Sequence, residues 1–272
     1  MIKRLFLYFD GFSAHRALRF MPRIVQGFLI VLWITTIPEY QLFWGNDNVL
    51  FRFGMPDSIL ENAVLRLYYQ PEISAWVYFL HPLLLLVGMR NAAISWIPRL
   101  LGWFTGMMLY QAAPGVFGWG AILLLQVAFL LIPVHYETES SARKWFNSLS
   151  IAAMRIQTIL VLAIVTIFMW GSSQWLKGET TYYLVHQPSE VRTFLFDASN
   201  GLGWVWKATT YLLLATVTCL VASLIFRPTR YISTTVLLVI GSLAVLSFNN
   251  LGHGFAVITL ALPWIDARES YS

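Results

Sequence analysis

The stretch MRIQTILVLAIVTIFMWGSSQWLKGE, residues Met154 to Glu179, decides the fold class of this chain. No charged residue lies between Arg155 and Lys177, and the run is long enough for a helix to cross about 30 Å of hydrocarbon. The run ends in a small-residue turn between Trp170 and Trp175, and indole side chains favour the membrane interface. We therefore predict a membrane-spanning helix followed by a polar turn at the membrane interface, and we expect the functional residues to lie at that turn.

The composition supports the same class. Hydrophobic residues make up 58% of the chain and charged residues 11%, and the mean hydropathy is +0.64. These values indicate a polytopic membrane protein and exclude an ordinary soluble domain. The formal net charge of +5 is explained by basic residues kept on the cytoplasmic side, so no nucleic-acid partner is expected. The single cysteine, Cys219, excludes an intramolecular disulfide.

The predicted fold is all-α, a single transmembrane domain over residues 1–272 with about seven or eight helices. Residues 1–22 mix apolar and basic side chains, which predicts a segment on the membrane surface, the alternative being a solvated basic tail. A charged segment, residues 135–150, leads into the central helix, and Pro98-Arg99 interrupts the third span. Besides the central one, apolar runs predict spans at about 23–37, 73–89, 92–109, 116–134, 207–226, 231–248 and 255–264. The last run is short for a span and is expected to be tilted or partial.

The distribution of lysine and arginine predicts the orientation. With the N-terminus in the cytoplasm, twelve of these residues fall inside and five outside, and Arg99 is left within a helix. The long loops at 38–72 and 177–206 then lie on the outer face, beside the far end of the central helix. This face is the predicted working surface.

Four polar residues are predicted to be buried in the bundle. Arg99 is the most costly, because a charge at helix depth costs about 2.5–3.5 kcal/mol on insertion scales. We expect it to pair with His81 or Gln126, with Gln157 as a further hydrogen-bonding group; the alternative is an arginine that reaches the cytoplasmic headgroups.

The segment Asn249 to Gly254 predicts a turn that carries His253 between two glycines. Glycine permits close backbone approach, so this turn is either a ligand-binding turn or a simple hairpin. No two of the five histidines lie four residues apart and Cys219 is distant, so no metal site is predicted. No glycine-rich phosphate loop or Gly-x-Ser-x-Gly motif occurs, and no cofactor is implied.

At the central stretch the sequence resembles the HTTM superfamily, the membrane domain of vitamin K-dependent gamma-carboxylase and its bacterial relatives. Arg155-x-Gln157 is similar to the helix entry, Gly171 to the turn, and Trp175-Leu176-Lys177-Gly178 to the exit motif Trp-x-x-Gly. The layout of residues 16–56, residues 113–133 and the Gly252-His253 pair is also similar. The resemblance implies a shared helical membrane fold over most of the chain.

The resemblance also implies that the carboxylase base is missing. In the carboxylases the turn carries a lysine that serves as base, and Ser173 and Gln174 stand at the matching positions here. A glutamine amide does not take up a proton as an amine does. We also expect no counterpart of the large lumenal domain of the carboxylases, so gamma-carboxylation is not expected.

Two main functions follow as hypotheses for a bacterial inner-membrane protein. The first is a maturation or export helper that binds a peptide, lipid or secreted protein at the outer face. The second is a membrane enzyme acting on a quinone-like or peptide substrate, and a small transporter is less favoured because no repeat or pair of broken helices is evident. The candidate binding residues at the outer face are Trp170, Gln174, Trp175, Lys177, Glu179, His186, Asn250 and His253.

Overall fold

The computed structural model describes residues 17–40, 71–90, 94–112, 114–135, 141–187, 191–198, 202–225 and 229–265. Within these ranges the protein is all-helical, and its only extended pairing is an isolated antiparallel bridge between Val191 and Phe248. Residues 1–16 of the predicted surface segment and most of the loop at 38–72 lie outside the described residues. Residues 17–22 of that segment instead begin the first helix, where Leu18 and Met21 are buried in the core, so this part is not a surface segment.

Eight helices coincide with the eight predicted apolar segments. They are α1 (Ala17–Thr35), α2 (Pro71–Gly88), α3 (Trp96–Ala112), α4 (Pro114–Leu130), α5 (Ser141–Gly171), α9 (Gly203–Ile225), α10 (Arg230–Ser247) and α11 (Leu251–Ala261). Three short helices, α6 (Ser173–Lys177), α7 (Thr180–Val185) and α8 (Thr193–Ala198), lie between α5 and α9. Turns of 3-10 helix follow α1 at Ile37–Glu39 and α11 at Leu262–Trp264.

Four of these helices are long and apolar enough to cross a membrane. They are the helices that contain Leu18–Thr35, Ala142–Gly171, Gly203–Ile225 and Arg230–Ser247. Shorter apolar stretches occupy Ala75–Gly88, Gly118–Leu130 and Leu251–Trp264. The described part of the chain is therefore compatible with an integral membrane protein.

Two predicted boundaries are corrected by the structure. The central helix begins at Ser141, so most of the charged segment at 135–150 is its first turns rather than a separate connection. Pro98 does not interrupt α3, because it lies in the first turn, where the amide that proline lacks has no helical partner. Helix α3 therefore starts at Trp96, and Arg99 lies near its beginning.

Two apolar clusters hold the helices together. The larger cluster joins α1, α2, α3, α4 and the middle of α5, with Tyr78, Leu124 and Ile151 almost fully buried. The smaller cluster joins α5, α9, α10 and the end of α11 around Leu224 and Trp264. Helix α11 contacts both groups, since Phe255 stacks on Phe28 with ring centroids 4.2 Å apart.

Glycines let α11 approach its neighbours at backbone distance. A Cβ on Gly254 would lie 2.5 Å from the Val245 amide nitrogen and 2.8 Å from the Gly241 carbonyl oxygen of α10. A Cβ on Gly120 of α4 would collide with the backbone of Gly252. Small residues at crossing points are the usual means by which membrane helices pack closely.

These contacts define two ends of the bundle. We call one the Arg99 end, which holds Gly88, Arg99, Val134, the first turns of α5, and Trp264. The other is the Trp170 end, which holds Thr36, the described residues between Trp170 and Lys207, and the α10–α11 turn at Phe248–Asn250.

Candidate functional site

A platform of three short helices, α6, α7 and α8, covers the Trp170 end. Helix α5 ends at Gly171, and Ser172 is extended, with φ −95° and ψ 124°, before α6 begins. Gly178 ends α6 in the left-handed conformation, with φ 77°. A Cβ there would lie 2.6 Å from Lys207 Cγ, so glycine is required both for its conformation and for space.

Hydrogen bonds tie the platform to α9. The Tyr211 hydroxyl donates to the Leu176 carbonyl of α6 at 3.0 Å, and the buried Thr210 hydroxyl donates to Thr181 Oγ1 of α7 at 2.8 Å and accepts from the Thr181 amide at 3.1 Å. Farther along α9, Thr218 Oγ1 accepts from the Trp170 indole at the end of α5 at 3.0 Å. Helices α6 and α7 are thus held at several points to one helix.

A strap at Val191 and Arg192 joins the platform to the α10–α11 turn. The Val191 amide donates to the Gln187 carbonyl at 3.2 Å, and the Arg192 amide donates to the Ser247 carbonyl at 3.0 Å. The Asn249 side chain donates to the Val191 carbonyl at 2.9 Å. Nothing in the sequence of this loop predicts the strap.

His253 lies on the first turn of α11, which corrects the prediction that it sits in the turn itself. Asn250 is the N-cap, and its side chain accepts from the Gly252 amide at 3.0 Å. The His253 ring stacks on Trp119, with centroids 4.7 Å apart, and meets the edge of Phe248 at 6.0 Å. The predicted site residues at 250–253 are therefore packed between helices, next to the strap.

The outward surface of the platform combines aromatic and basic side chains. Its large exposed side chains are Leu176, Tyr182, Tyr183 and Phe194, and beside them Trp204, on the first turn of α9, is 75% exposed. Lys177, Arg192 and Lys207 are exposed among them, and Glu179 is half-buried. Such a surface suits an anionic or amphipathic ligand.

Of the predicted platform residues, Gln174 and Lys177 are exposed and Trp175 is half-buried. His186 packs on Tyr182, with ring centroids 4.0 Å apart, and its Nδ1 donates to the Tyr182 carbonyl at 2.8 Å. These residues and His253 lie in two parts of the Trp170 end, which the strap connects. Trp119, Arg192 and Tyr211 also contribute to this end and were not predicted from the sequence. The glycine at position 118, which adopts a positive φ of 62° directly before Trp119, was the available signal.

At the opposite end Arg99 is buried, as predicted, but its partners are backbone carbonyls. Its Nε donates to the Gly88 carbonyl at 2.9 Å, and Nη1 donates to the Val134 carbonyl at 2.6 Å. Longer contacts of 3.4 Å reach the carbonyls of Leu131 and Arg90. The guanidinium therefore lies where the C-terminal ends of α2 and α4 meet, and carbonyls at helix C-termini attract positive charge.

The predicted pairing of Arg99 with His81 or Gln126 is wrong. His81 is buried deeper in the bundle, where its Nδ1 lies 2.8 Å from Thr105 Oγ1. Gln126 is exposed and accepts a hydrogen bond from Gln157 at 2.9 Å. The four polar residues form three separate arrangements rather than one pocket.

His135 lies beside the Arg99 cluster, after α4 ends. Asn147 of α5 holds its backbone from both sides: the Asn147 side chain accepts from the His135 amide at 3.0 Å and donates to the His135 carbonyl at 2.7 Å. Burial lowers the pKa of His135 from its ordinary value of 6.5, and the positive charges of Arg143 and Arg99 act in the same direction.

Arg155, which the resemblance assigns to the helix entry, serves the packing of the bundle. Its Nε donates to the Pro263 carbonyl at 2.8 Å, and its guanidinium lies 5.0 Å from the Trp264 ring. Arg230 approaches the same ring at 5.3 Å. Trp264 is buried beside two cations, so this contact joins α5, α10 and the end of α11.

Among the described residues, no three histidine, cysteine, aspartate or glutamate side chains come together as metal ligands. Comparison of the chain with protein-family models, with curated proteins and with solved structures gives no match.

Proposed function

We propose that this chain is an integral protein of a bacterial inner membrane, with about eight helices in the bilayer and its N-terminus in the cytoplasm. Four helices with the length and composition of spans support the proposal. Helix α3, with 17 residues, is about 26 Å long, close to the hydrocarbon thickness, whereas α4 is broken by the non-helical backbone of Gly118.

The charge distribution supports the orientation. Of the described lysines and arginines, three lie at the Trp170 end: Lys177, Arg192 and Lys207. Eight lie at the Arg99 end: Arg19, Arg23, Arg90, Arg99, Arg143, Lys144, Arg155 and Arg230. Eight against three favours a cytoplasmic Arg99 end and an outer platform.

The platform is proposed to bind a peptide or a segment of a secreted protein at the outer face, as a maturation or export helper. The observation that carries this proposal is the exposed aromatic and basic surface formed by Tyr182, Tyr183, Phe194, Arg192 and Lys207. Aromatic and arginine side chains supply most of the binding energy in protein interfaces.

The platform's attachment to the bundle favours binding by a preformed surface. The strap and the contacts with α9 hold the short helices in place before any partner arrives. Binding to a surface that is already ordered costs less conformational entropy than binding to one that must become ordered, so more of the contact energy appears as affinity. Gln174, Trp175 and Lys177 on α6 lie at the edge of this surface and are proposed to contact the same partner.

The helper is favoured over an enzyme with a lysine base. A lysine becomes a usable base when burial removes water from its amine. Lys177 is exposed, and the matching positions of the resemblance, Ser173 and Gln174, are exposed too. We therefore propose that the chain shares the fold and ancestry of the HTTM superfamily but not the chemistry of the carboxylases.

Site-specific photocrosslinking in cells tests the binding proposal. A photoreactive residue at Tyr183, Phe194 or Trp204 is expected to capture the same protein or peptide. The matched controls are Leu212 and Ile232, which are as exposed but lie away from the platform, in the interior of α9 and near the opposite end of the bundle on α10.

The charge reversal Lys177→Glu with Arg192→Glu should reduce the platform crosslink several-fold without lowering the amount of inserted protein. Lipid-only adducts at all five positions would contradict the proposal and leave the aromatic residues as membrane-interface anchors.

A further inference from the structure

A second surface feature lies at the Arg99 end, where α3, α4 and α5 leave a groove of about 260 Å³. Its walls are apolar: Leu100 from α3, Phe129 from α4, Ile132 and Pro133 after it, and Phe146 and Leu149 from α5. Ser150 and Ala153 complete the α5 wall. The groove opens on the outside of the bundle, since Leu100, Phe129, Phe146 and Leu149 are each more than a third exposed.

Basic residues lie next to the groove, on the side nearer the start of α5. Phe146, Leu149, Ser150 and Ala153 recur at the spacing of one helix face, and Arg143 precedes them by one turn on that face. The positive charge of Arg143 also acts on His135, which lies two residues after the groove residue Pro133. Arg143 and Lys144 are exposed, so their charges are available to a ligand.

The first turn of α5 is positive in itself. It contains no acidic residue, and the N-terminus of a helix carries a partial positive charge. Arg90 is exposed next to the Arg99 cluster, to which it contributes its carbonyl. Every charged side chain that the structure describes on these elements is basic, while Glu137 and Glu139 lie outside the described residues.

We infer that this groove binds an anionic phospholipid, with an acyl chain against α3, α4 and α5 and the phosphate at Arg143 and Lys144. An apolar channel that ends in cations matches the two halves of such a lipid, and basic pockets between membrane helices on the cytoplasmic side select anionic headgroups. The inference needs the membrane placement proposed above but not binding at the platform, which lies at the other end.

Native mass spectrometry of the purified full chain in detergent tests this site. Phosphatidylglycerol and phosphatidylcholine with identical acyl chains compete for the protein, and the wild type is expected to retain phosphatidylglycerol preferentially. In Arg143→Gln with Lys144→Gln the preference should fall about 30-fold, the ratio expected for two cations near a phosphate. The matched control, Arg19→Gln with Arg23→Gln, removes two exposed cations of α1 at the same end and should keep the wild-type preference.

A second variant tests the acyl half. Ala153→Phe fills the groove and leaves the cations in place, so it should lower retention of both lipids at the site. Equal retention of the two lipids by the wild type would overturn the inference. This comparison uses only the wild type, so it does not depend on whether a variant folds. An equal loss in the α1 control would also overturn it, because the preference would then reflect general positive charge.

Discussion

Replacing Arg99 tests whether its guanidinium joins α2 to α4. In Arg99→Met the side chain keeps its approximate length and loses every donor. Two bonds are short, 2.9 Å to Gly88 and 2.6 Å to Val134, and charge-assisted bonds contribute about 1.5–3 kcal/mol each. The contacts at 3.4 Å are too long to add much. With about 1.5–2 kcal/mol for each of the two short bonds, we expect Arg99→Met to lower the free energy of unfolding by about 3–4 kcal/mol.

Arg99→Lys should lose about half as much. An ammonium is a single donor centre, so it reaches one of the two carbonyls but not both. The control is Arg23→Met, an exposed arginine at the same end, which should change the free energy of unfolding by less than about 0.5 kcal/mol.

The measurement is the free energy of unfolding in mixed detergent–dodecyl sulfate micelles, followed by tryptophan fluorescence and circular dichroism. If Arg99→Met unfolds at the same dodecyl sulfate fraction as the wild type, the carbonyl cluster does not hold the helices together. If Arg99→Lys destabilises the protein as much as Arg99→Met, one remaining hydrogen bond has no value, and the reasoning from two separate carbonyl partners is wrong.

Three further predictions concern packing, protonation and chemistry. Gly254→Ala should destabilise the protein by about 1–3 kcal/mol in the same unfolding assay, because α10 and α11 must separate, whereas Gly203→Ala, with nothing within 4 Å of the added methyl, should be nearly neutral. Burial lowers the pKa of His135, so as the pH falls the unfolded state binds this proton before the folded state does. The stability that neutral His135 contributes is therefore fully present above about pH 6.5 and is lost as the pH falls through the folded pKa. His135→Asn should flatten this part of the curve of unfolding free energy against pH. Because the HTTM resemblance proposed above matches Gln174 to the carboxylase lysine, the purified protein with reduced vitamin K, bicarbonate and a glutamate-rich peptide should form no carboxylated product above background. Carboxylated product would contradict the proposal that no lysine base is present.

The positions of the helices were largely predictable, because an apolar run of sufficient length has few other outcomes. The start of α5 was not predictable in this way: Arg155 ends the charge-free run, yet the helix extends past it and includes Arg143 and Lys144. A helix of 31 residues is about 46 Å long, which exceeds the hydrocarbon thickness, so its first turns need not be apolar. The start of α11 carried a usable signal, since asparagine at position 250 is a common N-cap.

The candidate site was less predictable. That Arg99 is buried follows from its place in the chain, but backbone carbonyls have no sequence signature, so its partners at Gly88 and Val134 could not be predicted. The strap has the same origin, because the Arg192 amide pairs with the Ser247 carbonyl through the backbone, beside the bridge between Val191 and Phe248. Helices as short as α6 and α7 depend on tertiary contacts such as Thr181 with Thr210, which sequence periodicity does not report.

Cysteine accessibility tests the central claim, that the platform and the Arg99 end lie on opposite sides of a membrane. In a Cys219→Ser background, single cysteines replace Ser173 and Thr193 on the platform and Ala142 at the start of α5, all of them exposed. In spheroplasts an impermeant maleimide should label positions 173 and 193 and should reach position 142 only after the membrane is permeabilised. Labelling of position 142 in sealed spheroplasts, or protection of either platform position, would contradict the account.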